Sequence, residues 1–234
     1  MSEDINIQFE RKRLILAAAV PLLVLFFCWM LKLIETGLDI SFAHYGIYPR
    51  DIGSWPGLIM MPLIHGDFAH LAANTVSFFV LATGVFYFYR DVASKILLIS
   101  WISTGVLTWI IGRESYHIGA SGLVYAFSGF LFLSGVLRNH IRLMAISLLV
   151  VFLYGSMIWG IFPIEPGISW EGHLSGLVTG FVLAWFYRKQ GPQRLKYSWE
   201  EEDDDDESDN TGHPNISSTH GVLPDYDYRE KNSN

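Results

Sequence analysis

Six apolar stretches separated by short polar intervals set the rhythm of the chain, at residues 14–34, about 69–89, 96–111, 119–137, 141–162 and about 170–187. Crossing about 30 Å of hydrocarbon at 1.5 Å of rise per residue takes roughly 20 residues, so these stretches predict transmembrane helices. The third and sixth are short, and a compact bundle accommodates short spans. Pro21 falls inside the first, where a membrane helix tolerates proline if the freed carbonyl finds another partner. That stretch follows Arg11, Lys12 and Arg13 but exceeds the apolar part of a cleaved secretion signal, and Cys28, Trp29 and Met30 make a poor cleavage site. The expected fold class is all-α, a polytopic bundle of six transmembrane helices.

Composition strengthens this reading: 51% of the 234 residues are apolar and 17% charged, with a mean hydropathy of +0.30. Charge then orients the bundle. Six spans put both termini on one side, and the intervals on that side carry eleven Lys and Arg, against only Lys32, Arg50 and Arg113 opposite, which predicts cytoplasmic termini in a plasma membrane of prokaryotic type. The expected organisation is a cytoplasmic N-terminus over 1–13, a membrane domain over 14–189 and an acidic, disordered cytoplasmic tail over 190–234, where residues 200–207 are an unbroken run of carboxylates. The basic residues sit at helix ends and form no patch, so nucleic acid is not an expected partner. The single cysteine, Cys28, excludes an internal disulfide and a thiolate zinc cluster.

Polar groups inside the apolar pattern carry the chemical information, because such groups are expensive at membrane depth and tend to face a cavity. His70 and Asn74 interrupt the second stretch, with His65 just ahead of it; Ser121 and Tyr125 interrupt the fourth; His173 and Ser175 interrupt the sixth. These three helices run from outside to inside, and each bears its polar set in its first turns, so the groups share one depth below the outer surface. They also share faces. His70 and Asn74 are four apart, Ser121, Tyr125 and Gly129 form one ridge, and His173, Gly176 and Gly180 form another. Glycines on a helix face let a second backbone come close, which would bring Ser121 and His173 within hydrogen-bond reach. A serine needs a base to become a nucleophile, and His173 is the candidate. No carboxylate is at hand to orient the imidazole, so ring packing by Tyr125 is the expected substitute. The Ser121 amide at a helix start, His70 and Asn74 would donate to an oxyanion, and an outward cavity lined by His65, His70 and Asn74 would admit water. His117 lies at the water boundary and receives no role. A zinc site on His65, His70 and His173 lacks both an HExxH pattern and an acidic base, so no metal and no cofactor are expected.

The set as a whole resembles the rhomboid family of intramembrane serine proteases over about residues 48–187. The likeness is carried by His65, His70 and Asn74 in HGDFAHLAAN, by Gly119, Ser121, Gly122, Tyr125 and Gly129 in GASGLVYAFSG, and by His173, Gly176 and Gly180 in GHLSGLVTG. The resemblance implies a six-helix core and a catalytic Ser121–His173 dyad. It implies an oxyanion site from the Ser121 amide with His70 and Asn74, supported by Gly119, Tyr125 and His65, and helix packing through Gly122, Gly129, Gly176 and Gly180. Segment 35–67 matches the family's partly embedded first loop, with Arg50 as its arginine. Gly172 stands where alanine is common in the family, and Glu171 adds a carboxylate beside His173. The implied partners are transmembrane protein substrates and membrane lipid, with no small-molecule cofactor. The alternative is a non-proteolytic protein of the same fold acting in binding or quality control; a transporter would place its polar groups at the midplane and show an internal repeat.

Overall fold

The computed structural model describes residues 2–153, 159–165 and 167–192; the acidic tail from residue 193 onward lies outside them. The described chain is all-α. Helix α1 spans Ser2–Gly37, α2 is a single turn at Gly57–Met60, and α3 spans Phe68–Phe88. Helix α4 spans Ala93–Ile111, α5 Ser121–Leu137, α6 Ile141–Leu153 and α7 Trp170–Phe186. Among the described residues, the 7–37 part of α1, α3 and α4 are long and apolar enough to cross a membrane.

The described helices pack an apolar core and also present large apolar side chains outward, which a water-soluble protein does not do on this scale. Phe26, Leu22, Trp185 and Phe186 are each more than half exposed, while Ser100, Thr108, Ser134 and Ser175 are buried. Exposed apolar surface on this scale costs about 25 cal/mol per Å² in water and nothing comparable in lipid. The outer belt is therefore the lipid face, and the protein is an integral membrane protein.

Helix α1 starts well before the apolar stretch. Its first turns dock on the far end of α3, where Arg13 donates to the Tyr87 carbonyl at 3.0 Å and the Tyr87 hydroxyl donates to Glu10 at 2.5 Å. At its other end Lys32 donates both to Glu35, at 2.8 Å, and to the Gly66 carbonyl, at 2.7 Å, which fixes the approach to α3. The segment between α1 and α3 braces α4. Arg50 donates to the Gly112 carbonyl at 2.8 Å, and the indoles of Trp101 and Trp109 donate to the carbonyls of Ile59 and Asp51 at 3.1 and 3.0 Å.

Helix α5 is the centre: twelve of its seventeen residues are buried. Its glycines let α7 approach closely enough for backbone to touch backbone. A Cβ on Gly180 would lie 2.9 Å from the Ala126 carbonyl carbon and 2.9 Å from the Phe130 amide nitrogen, and one on Gly129 would lie 3.2 Å from the Leu177 carbonyl oxygen. The seam on α5 thus runs along Gly122, Ala126 and Gly129, one residue off the expected Ser121–Tyr125–Gly129 ridge. The apolar stretch expected to be helical through residue 162 departs from that pattern: Trp159–Ile161 is a 3-10 turn with Gly160 at its middle and Pro163 two residues beyond it. Residues 154–158, within the same stretch, lie outside those described.

Candidate active site

Ser121 is the first residue of α5 and His173 lies in the first turn of α7, so the α5–α7 seam carries both. The Ser121 Oγ is 2.8 Å from His173 Nε2. The other imidazole nitrogen, Nδ1, lies 2.8 Å from the Gly160 carbonyl. A carbonyl only accepts, so Nδ1 carries the ring proton and Nε2 presents its lone pair to the serine hydroxyl. The Tyr125 ring stacks on the imidazole, with centroids 4.3 Å apart and planes inclined by 15°. Between the hydrogen bond to Gly160 and this stacking, both the tilt and the tautomer of His173 are fixed.

Gly160 itself is required by close approach. A Cβ there would overlap the Tyr125 hydroxyl and lie 2.9 Å from His173 Nδ1. Sequence reasoning missed this residue because it acts through its backbone carbonyl, for which no residue type is a signal.

His70 and Asn74 converge on the same place from α3. Gly119 has φ +111, a conformation that favours glycine, and a Cβ there would lie 2.9 Å from His70 Nε2 and 3.6 Å from Asn74 Nδ2. The absent side chain is what lets the two donors reach the entrance of α5. Asn74 is buried and lines the cavity, and no described protein group accepts from its Nδ2. The Ser121 amide is at the first position of α5, where an amide has no acceptor within its own helix.

One expectation for His65, that it lines the cavity, is corrected. Asp67 caps α3, accepting the His70 amide at 2.7 Å. His65 stands behind the cavity and is 2% exposed. Its Nε2 accepts the Ala120 amide at 3.3 Å, its Nδ1 lies 3.4 Å from the Leu63 carbonyl, and its ring meets His70 edge-on at 5.1 Å. Burial, reinforced by the neighbouring His70, pushes its pKa down to about 4, so the ring is neutral and available as an acceptor. The cavity has a volume of about 700 Å³, and His70, Asn74, Ser121, Tyr125 and His173 line it; His65 does not.

A second Ser–His contact lies nearby, with His117 Nδ1 2.6 Å from Ser169 Oγ. His117, placed at the water boundary by the sequence and given no role, is 1% exposed within the protein. Ser169 accepts the Gly172 amide as the cap of α7. Glu171 is also buried, and its carboxylate accepts the Arg113 amide at 3.1 Å. It is committed to the loop before α5. Among the described residues no cluster of His, Cys, Asp or Glu could hold a metal ion.

Residues 53–190 match the Rhomboid domain family. An uncharacterized protein of Mycobacterium tuberculosis (strain ATCC 25618 / H37Rv) is 33% identical over 204 residues, 79% of this chain and 80% of that protein. An uncharacterized protein of Mycobacterium leprae (strain TN) is 31% identical over 157 residues, 62% of this chain and 60% of that protein. YdcA of Bacillus subtilis (strain 168), named as a candidate rhomboid protease, is 28% identical over 137 residues, 56% of this chain and 67% of that protein. With the family match over most of the membrane-embedded helices and a serine hydroxyl held against a histidine base, the chain belongs to the rhomboid family of intramembrane serine proteases.

Proposed function

We propose that Ser121 is the nucleophile and His173 the general base and acid of this protease, hydrolysing peptide bonds in or near transmembrane segments of other membrane proteins. The 2.8 Å contact between Ser121 Oγ and a lone pair on His173 Nε2 is the observation that carries the assignment. Ser121 Oγ adds to the scissile carbonyl as its proton passes to Nε2. The charge that develops on the carbonyl oxygen is met by the Ser121 amide, His70 and Asn74 Nδ2; by analogy with a subtilisin oxyanion donor, each is worth about 3 kcal/mol in the transition state. Nε2–H then gives its proton to the departing amine, which breaks the C–N bond and leaves an ester on Ser121. Water from the cavity attacks the ester as Nε2 takes its proton, and that proton returns to Ser121 Oγ. Gly119 supports the oxyanion donors by making room for His70, His65 by holding the Ala120 amide, and Tyr125 by stacking on the base. The neighbouring Ser169 is the poorer nucleophile, because its oxygen already caps α7.

The membrane domain in this reading comprises residues 14–189 with six spans and both termini cytoplasmic, supported by the excess of basic residues on one set of intervals. Its tail, 190–234, is a separate cytoplasmic appendage. Substrates are membrane-spanning proteins that reach the site from the lipid and unwind locally, which favours Gly, Pro and other poor helix formers at the cut.

The test is cleavage of a membrane-spanning reporter in proteoliposomes, paired with labelling by a fluorophosphonate. Wild type cleaves and is labelled; Ser121→Ala does neither at equal abundance, and His173→Ala loses labelling. Cleavage or labelling that persists in Ser121→Ala refutes the assignment, and a loss seen only in Ser169→Ala would transfer it to the second pair.

A further inference from the structure

The Ser121–His173 contact is repeated one helical turn upstream on each segment, with the residue types exchanged. His117 precedes Ser121 by four residues and Ser169 precedes His173 by four. Nδ1 of His117 is 2.6 Å from Ser169 Oγ, and its Nε2 is 3.1 Å from the Arg113 carbonyl. The carbonyl only accepts, so the ring proton is on Nε2, and Ser169 donates its hydroxyl to Nδ1 while accepting the Gly172 amide at 3.3 Å. Burial holds the pKa of His117 below the ordinary value, although the Arg113 carbonyl and the Glu171 carboxylate oppose that shift and the Arg113 guanidinium adds to it. The neutral, acceptor form is the one the geometry uses.

His117 is therefore held from three directions. Its backbone exchanges both hydrogen bonds with Ile47, at 2.8 and 3.0 Å, and its ring ties to Arg113 and to the cap of α7. Space around the pair is reserved for it: a Cβ on Gly172 would lie 2.8 Å from Ser169 Oγ, and one on Gly112 would lie 2.9 Å from His117 Nε2. Glu171 joins the same two segments, accepting the Arg113 amide at 3.1 Å. The reacting pair thus sits between two constraints, the glycine seam of α5 and α7 on one side and the His117–Ser169 bond on the other.

We propose that His117 and Ser169 form a positioning latch, whose hydrogen bond fixes the loop entering α5 against the start of α7 and so sets the distance between Ser121 Oγ and His173 Nε2. This rests on the assignment of Ser121 and His173 made above. Neither residue of the latch exchanges a proton with substrate; both act through the backbone four residues downstream. Loss of the latch lets the two segments part, and misplacement by a fraction of an ångström to 1 Å costs a reaction of this kind about tenfold to a hundredfold.

The experiment uses the full-length protein in proteoliposomes. Ser169→Gly removes the hydroxyl and leaves a residue that helix starts tolerate, at a cost of only a few tenths of a kcal/mol; Ser169→Thr keeps the hydroxyl. The expected result for Ser169→Gly is a fall of about tenfold or more in both kcat and the rate of fluorophosphonate labelling, KM within about twofold of wild type, and recovery of most of the loss in Ser169→Thr. A merely structural role moves Tm without that split between kcat and KM. Wild-type kcat and labelling in Ser169→Gly, or a Ser169→Thr no better than Ser169→Gly, overturns the latch. If Ser169→Gly cannot be purified, His117→Phe, which keeps a buried ring, decides the matter by the same readings, and full labelling there overturns the latch. Failure of the underlying assignment has a different signature, persistent labelling in Ser121→Ala.

Discussion

Replacing Gly176 by alanine drives a methyl group into the backbone of α5. A Cβ built there lies 2.9 Å from the Gly122 carbonyl carbon, closer still to its oxygen, and 3.3 Å from the Ala126 amide nitrogen. No flexible side chain can yield, so the two helices must part by roughly 1 Å to restore ordinary contact. Gly122 adjoins Ser121 and Gly176 lies three residues beyond His173, so most of that displacement reaches the reacting pair. The 2.8 Å hydrogen bond then lengthens past the point, at about 3.5 Å, where it counts as one. A misplacement of about 1 Å lowers catalysis by about 10²-fold, or about 2.7 kcal/mol in the barrier at about 1.36 kcal/mol per decade. Overpacking removes about 1–3 kcal/mol of stability as well, so thermal inactivation must be measured beside activity. The assay is single-turnover cleavage of a membrane-spanning reporter with enzyme in excess, so that product release does not mask the chemical step. Gly37→Ala, where a Cβ meets nothing within 4 Å, is the matched control and keeps the wild-type rate. A folded Gly176→Ala that cleaves at the wild-type rate refutes the reasoning, because backbone contact at the seam would then not set the geometry of the site.

Two further outcomes separate contributions within the site. Tyr125→Phe keeps the ring that stacks on His173 at 4.3 Å and stays within a few-fold of wild type in kcat, whereas Tyr125→Leu loses about tenfold or more because the imidazole is free to tilt; equal activity of the two variants would show that the stacking does not orient the base. His65 has a folded pKa of about 4, below the ordinary value of about 6.5, so the unfolded chain binds its proton first on acidification. The stability His65 contributes is fully present above about pH 6.5 and is lost as pH falls toward 4, on the order of 3 kcal/mol in all; thermal inactivation followed from pH 7 to 4.5 should show this decline, flattened in His65→Phe, and an unchanged slope in that variant would count against it.

The sequence made the meeting of Ser121 and His173 legible because both lie on helices, where spacing of three and four residues converts directly into a shared face, and because a polar side chain at membrane depth stands out against its surroundings. Gly122, Gly129, Gly176 and Gly180 were legible as contact residues for the same reason. The one-residue offset of the seam was not, since spacing leaves the rotation of each helix undetermined within one residue. His117 escaped notice because hydropathy put it in an interval between spans, and its burial depends on Ile47, 70 residues away in the chain. The tie of Lys32 to Gly66 and of Arg50 to Gly112 are likewise long-range contacts to carbonyls, and a carbonyl belongs to every residue type. Gly160 combined both difficulties.

That carbonyl explains how the site manages without a third side chain. In a Ser-His-Asp triad the carboxylate holds the imidazole in the tautomer that leaves Nε2 free, and a wrong tautomer there costs about 10⁴-fold. The Gly160 carbonyl imposes the same tautomer on His173 at 2.8 Å, so that part of the carboxylate's work is retained. What it gives up is charge stabilisation of the imidazolium. At this depth a carboxylate would bring a penalty of its own, since a buried ion left without a full set of partners costs several kcal/mol. The carboxylate two residues before the base, Glu171, accepts the Arg113 amide, lies 3.8 Å from the Arg113 guanidinium and makes no hydrogen bond to the imidazole. A neutral acceptor supplied by a glycine, with a tyrosine ring against the imidazole face, orients the base and adds no net charge to a helix bundle surrounded by lipid.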